Sequence, residues 1–151
     1  MLLSKVGYWR PLQRRHLDSA EDAALPDPRE FVDTTWDSAL RSRVAGYLKN
    51  GRIWAFGFGY SYCRFQCGAP DSTMGSNDLT DGIWVWPEGL WHYVEAHAVR
   101  LPPQFFGHLM QRDFRHLTDT EFCDLGALDD GEPCHTAAEL YERIMTGVTN
   151  R

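Results

Sequence analysis

Arg52-Ile53-Trp54-Ala55-Phe56-Gly57-Phe58-Gly59-Tyr60-Ser61-Tyr62-Cys63 alternates between two kinds of side chain. Trp54, Phe56, Phe58, Tyr60 and Tyr62 share one parity; Ile53, Ala55, Gly57, Gly59, Ser61 and Cys63 share the other. A period of two is the mark of a strand, here with one aromatic face and one face of mostly small groups. Gly57 and Gly59 permit a bend, so the stretch predicts a long bent strand or a tight hairpin. Downstream, Gly68–Gly82 is rich in Pro, Gly, Asn and Asp and reads as a loop. Ile83–Trp86 reads as a short strand. Pro87 fits the first position of a helix that carries Leu90, Tyr93, Val94 and His97 as its apolar stripe and stops near Val99.

Upstream, Leu40, Val44, Tyr47 and Leu48 fall at helical spacing. Thr34 or Thr35 can cap the start and Asn50-Gly51 the end, which predicts a helix over 35–49. Gln104–Arg112 predicts another helix, and the capping box Thr136-Ala137-Ala138-Glu139 opens a last one over 137–146. The sum is an α+β domain, a small antiparallel sheet with about four helices packed on it. Residues 1–30 read as an arm and linker able to pack on that domain, basic up to Arg15 and acidic from Asp18, and 31–151 as the single domain itself.

A chain of 151 residues accommodates one core. Its 43% hydrophobic and 13% aromatic content excludes a disordered chain. A net charge of −6 argues against nonspecific nucleic-acid binding. No apolar run approaches membrane-spanning length, and Met1–Pro11 is too short and polar for a signal peptide. A cytoplasmic protein with reduced thiols at Cys63, Cys67, Cys123 and Cys134 is the expectation.

Four groupings carry chemistry. Cys63-x3-Cys67 and His92-x4-His97 supply two thiols and two imidazoles, the ligand types that zinc takes in tetrahedral array. Against a zinc site stand the 24 residues, 68–91, between the pairs, and the helix itself. Positions five apart on an α-helix point about 140° away from each other. The alternative places His97 in the core stripe and His92 on the surface. Secondly, Cys63 beside Arg64, with His92 or His97 as base and Asp78, Asp81 or Glu95 as orienter, has the parts of a thiol nucleophile without a local signature for one. Thirdly, Asp78 and Asp81 crowd a turn, where carboxylates either bind a polar ligand or cap their own backbone. Lastly, Trp84, Trp86 and Trp91 with those two acids form a candidate aromatic and acidic binding patch.

Tyr62-Cys63-Arg64-Phe65-Gln66-Cys67-Gly68, Gly75-Ser76-Asn77-Asp78-Leu79-Thr80-Asp81-Gly82 and Ile83-Trp84-Val85-Trp86-Pro87-Glu88-Gly89-Leu90, continuing through His92-Tyr93-Val94 to Val99-Arg100-Leu101-Pro102, resemble a group of small bacterial proteins of uncharacterised function. The resemblance implies a bacterial origin and a compact domain; it brings no activity, cofactor or catalytic residue.

The leading expectation is therefore a non-catalytic, acidic, cytoplasmic interaction module, immunity- or adaptor-like, whose charge draws in a basic protein partner. The alternative is a zinc-binding module or small enzyme with a site around Cys63, His92, His97 and the Asp78/Asp81 turn.

Overall fold

The computed structural model describes residues 3–12 and 20–124. The helix expected over 137–146, and Cys134 with it, lie outside them. Four strands form one mixed sheet: β1 (Ser4–Lys5), β2 (Arg52–Ala55), β3 (Asp78–Thr80) and β4 (Trp84–Pro87), in spatial order β1-β4-β3-β2. Six helices accompany them: α1 (Ala20–Ala23), α2 (Ser38–Lys49), α3 (Asp71–Met74), α4 (Leu90–His97), α5 (Pro103–Gln111) and α6 (Asp119–Asp124). The α+β class read from the sequence holds. The antiparallel part is β2-β3-β4, and β1 adds a parallel edge against β4. The first residues are thereby part of the sheet, and Val6 and Trp9 lie in the same core cluster as Trp36 and Trp86.

The period-two stretch is a strand only as far as Ala55. The pairing of β2 with β3 slips between Ile53 and Ala55. Beyond it Gly57 passes so close to the Ser76 carbonyl that a Cβ there would collide with it. The chain leaves the sheet, Gly59 turns through φ +78°, and Phe58 and Tyr60 point to solvent. The alternation continues, but among the described residues no partner strand lies opposite it beyond Ala55.

The expected loop at 68–82 contains α3 and β3, and β3 is a central strand. Three residues with Asp at one end and Thr at the other carry no visible period, yet Leu79 and Thr80 are buried. Pro87 closes β4 opposite Asp78 instead of opening a helix. The Glu88 carboxylate accepts the Ser76 and Asn77 N–H groups, each at 3.1 Å. α4 starts two residues later, where Gly89 brings its first turn within 2.6 Å (from a would-be Cβ) of the Met74 carbonyl oxygen.

α2 is capped by Asp37, whose carboxylate accepts the Leu40 N–H at 2.8 Å, and not by either threonine. It packs on α4. Val44 and Leu48 from α2, Trp86 from β4, Val94 from α4 and Phe105 and Leu109 from α5 are all fully buried. The Trp86 indole N–H donates to the Leu48 carbonyl at 3.1 Å, so even the largest core ring keeps its polar atom satisfied.

A short clip secures the end of α4. Val32 bridges Val99, the Asp33 N–H donates to the Ala98 carbonyl at 2.9 Å, and the Arg100 N–H to that of Phe31 at 2.8 Å. The Asp33 carboxylate accepts the Thr35 hydroxyl and N–H and the Arg100 guanidinium, which together lower its pKa from 3.8 to about 2. A depressed carboxylate contributes stability above its unfolded pKa and loses it as pH falls through the folded one. NMR titration is expected to find the Asp33 carboxyl midpoint near 2. Asp33→Asn is expected to flatten the decline of stability between pH about 4 and 2; a midpoint at the ordinary aspartate value would show that the clip is open in solution.

Candidate metal centre

Cys63 and Cys67 lie on a tight turn that leaves the loop after β2. The Gln66 N–H returns to the Cys63 carbonyl at 3.0 Å, and Gln66 and Gly68 adopt φ of 52° and 83°. The turn folds both sulfurs to one side. Arg64 anchors it, donating its backbone N–H to the Tyr93 hydroxyl at 2.9 Å and its guanidinium to Ser61 and the Tyr62 carbonyl.

The two imidazoles come from the two ends of α4, and here the expected helical obstacle disappears. His97 is the last helical residue: Ala98 turns left-handed at φ 50°, and the N–H groups of both Ala98 and Val99 return to the Tyr93 carbonyl. The rings lean in from either flank with their planes 75° apart. Their Nε2 atoms meet at 3.3 Å although their Cβ directions diverge. Phe65 stacks on the His97 ring at 4.1 Å and 6°, and Trp91 meets the His92 ring edge-on at 5.8 Å. Each imidazole is thus held by an aromatic neighbour.

The four ligand atoms converge. Cys63 Sγ lies 3.4 Å from His97 Nε2, Cys67 Sγ lies 3.4 Å from His92 Nε2, and all four atoms lie within 4.8 Å of one another. Bond lengths of about 2.3 Å to sulfur and 2.0–2.1 Å to nitrogen, at tetrahedral angles, require N···N near 3.3 Å and S···N near 3.6 Å. The N···N separation of 3.3 Å and the two S···N separations of 3.4 Å agree with those of a tetrahedral S2N2 site to within about 0.2 Å. His92 is buried and His97 half-buried, the reverse of the arrangement expected without a metal.

Burial sets the protonation states. It lowers the pKa of both His92 and His97, so each ring is neutral and has a lone pair to offer at pH 7. Burial likewise pushes the Cys63 thiol up, against the backbone N–H groups of Phe65 and Cys67, which stabilise its thiolate. A cation at the centre would reverse that balance, because a coordinating thiol gives up its proton. Cys67 is exposed, so the site sits beneath the surface with one sulfur at its rim.

The other candidates separate. Asp81 is turned inward as the hub of the β3–β4 turn. It accepts the Tyr47 hydroxyl and His108 Nε2–H at 2.7 Å each, and the N–H groups of Ile83 and Trp84 at 3.0 and 2.8 Å. Asp78, at the other end of β3, is hydrogen-bonded to Tyr8, whose pKa is raised chiefly by burial. Among the described residues no carboxylate joins the sulfur and imidazole cluster. The nucleophile grouping with an Asp orienter is therefore not assembled.

The Trp84, Trp86, Trp91 patch does not form a shared surface either. Trp86 is in the core, Trp84 rests edge-on against Phe105, and Trp91 lies beneath the Lys49 ammonium at 4.1 Å. Among the described residues Phe58 and Tyr60, which alternation placed on the aromatic face of a strand, are exposed, as is Phe31.

Comparison of the chain with known protein families, with curated proteins and with solved structures finds no match. Among the described residues no helix is long and apolar enough to cross a membrane.

Asp81→Ala strands a phenol, an imidazole N–H and two amides in a buried turn. The expected cost is about 3 kcal/mol or more in urea denaturation. Asp81→Asn, which keeps an acceptor, is expected to cost less; equal losses would deny the carboxylate its role as the hub.

Proposed function

We propose that this protein is a zinc-binding interaction module in which the metal is structural. The observation that carries the reading is the convergence of Cys63 Sγ, Cys67 Sγ, His92 Nε2 and His97 Nε2 at tetrahedral spacing. Two thiolates and two imidazoles suit zinc over harder cations, which favour oxygen. Four protein ligands complete a tetrahedron, whereas a catalytic zinc keeps a position for water or substrate. The ion would tie the 56–67 loop to α4, two segments separated in sequence by α3 and the β3–β4 hairpin.

Protein purified without chelator is expected to contain one zinc per chain. Cobalt substitution is expected to give the intense visible bands of a tetrahedral thiolate site. Stripping the metal is expected to lower stability by about 4 kcal/mol, the value for a ligand held at a thousand times its Kd. Cys63→Ser and His92→Asn should each abolish stoichiometric loading. Native protein free of metal that also fails to take up cobalt refutes the reading.

The exposed aromatics favour a protein-binding role for the loop that the metal would hold. Phe58 is fully exposed and Tyr60 is 64% exposed, and aromatic side chains are the commonest anchors of protein interfaces. Recruitment of a basic protein, as an immunity- or adaptor-like module would do, agrees with the charge of −6. Phe58→Ser is expected to leave stability within about 0.5 kcal/mol in thermal melts. A larger loss would mean that the ring serves the fold and is not available to a partner.

A further inference from the structure

The four side chains of the metal centre differ in their access to water. Cys63 belongs to the core cluster and is 6% exposed, and His92 is buried. His97 is half-buried, with the Phe65 ring stacked on it. Cys67 alone of the four is exposed. A solute arriving from water therefore meets the Cys67 sulfur first.

The two thiols are also placed for each other. They lie on one turn, three residues between them, tightened by the Gln66 N–H on the Cys63 carbonyl. Their sulfurs lie within 4.8 Å of one another. The Cys63 sulfur is fixed by the N–H groups of Phe65 and Cys67 and has the Cys67 thiol as a hydrogen-bonding neighbour. An accessible sulfur beside a sheltered second thiol is the arrangement of a redox-sensing pair.

We infer, resting on the zinc reading above, that the centre is a peroxide-sensitive switch: a hydroperoxide oxidises Cys67, Cys63 closes a disulfide with it, and the zinc leaves. In the first step the Cys67 thiolate attacks one peroxide oxygen. An S–O bond forms, the O–O bond breaks, and the departing oxyanion takes a proton from water. In the second the Cys63 thiolate attacks the Cys67 sulfur and expels hydroxide, which takes another proton. The two thiolates have lost two electrons, the peroxide has gained them, and zinc stays divalent. Two imidazoles remain, fewer than the four ligands of a structural zinc.

The disulfide lies within the turn and keeps it closed. What oxidation cuts is the tie from the turn to His92 and His97 on α4. The hydrogen bond from the Arg64 N–H to the Tyr93 hydroxyl persists, but the segment 56–62, with exposed Phe58 and Tyr60, loses its metal anchor.

The full zinc-loaded chain would be mixed with hydrogen peroxide in the presence of a zinc-sensitive dye. Loading is measured first. A chain that takes up neither zinc nor cobalt fails the zinc reading and the switch with it; a chain that loads zinc and keeps it through excess peroxide fails the switch alone. Trypsin separates the thiols at Arg64, leaving Cys63 on peptide 53–64 and Cys67 on peptide 65–100. The expected result is one zinc released per peroxide consumed, a chain lighter by two hydrogens, and a bridge joining those two peptides. Reductant with added zinc should restore loading. Cys67→His replaces the exposed sulfur by another zinc ligand and should release zinc several-fold more slowly. Should that variant not load, the peptide map of the native chain decides. Zinc loss without a bridge between 53–64 and 65–100, a bridge to Cys123 or Cys134 in its place, or a loaded Cys67→His variant that releases zinc as fast as the native chain overturns the inference.

Discussion

The site depends on where α4 stops. Leu90, Tyr93 and Val94 press its inner face into the core, which fixes its rotation about its own axis. The left-handed Ala98, and the bridge of Val99 to Val32, end the helix at His97 and lead the chain away. A non-glycine residue at positive φ is held only where its surroundings insist on it. Here the Asp33–Ala98 and Arg100–Phe31 hydrogen bonds supply the insistence. A clip made from residues 31–33 thus controls the direction of an imidazole whose partners come from residues 63, 67 and 92.

The chemistry of the centre was legible in residue type and local spacing; its geometry was not. Cys63-x3-Cys67 and His92-x4-His97 both fall within the ranges that zinc modules use. The objection from helical angle considered Cβ directions alone. An imidazole reaches well beyond its Cβ, and two of them can close a divergence at a helix that ends there. The objection from the intervening residues 68–91 failed for a different reason. Those residues are not a linker but α3 and the β3–β4 hairpin, which return the chain to the sheet so that α4 begins near where the cysteine turn ended. Sequence distance was spent on the core, not on separation.

Where the fold departed from its pattern, backbone constraints outweighed side-chain periodicity. Phe56, Phe58 and Tyr60 have the alternation and β-propensity of a strand, yet Gly57 lies against the Ser76 carbonyl and the loop must pass outward. Asp78-Leu79-Thr80 has neither, yet it forms a central strand because β2 and β4 flank it on both sides. β-Propensity measures how a side chain suits a pleated, half-buried surface, and pairing decides whether that surface exists. Asp81 shows the same logic in a polar group. Its place in a run of turn-forming residues suggested either a ligand site or capping of its own backbone; it does cap the turn, through the Ile83 and Trp84 N–H groups, and its other oxygen takes the Tyr47 hydroxyl and His108.

A structural metal, as proposed, would account for a feature that the core leaves open. α2, β4, α4 and α5 share one set of buried apolar side chains, whereas no residue from Phe56 to Tyr62 is buried. Its exposed rings gain nothing from folding, and its glycines cost more conformational entropy than other residues when fixed. Some interaction must hold the far end of this segment in place. Arg64 and the cysteine turn provide hydrogen bonds to Tyr93 and the loop itself, but a few partly exposed hydrogen bonds are each worth only about 1 kcal/mol. Metal coordination at Cys63 and Cys67, as proposed above, would supply a further fixed point beside Cys63, which itself belongs to the core cluster. On that reading the cluster is to this loop what the buried Trp86 is to the sheet.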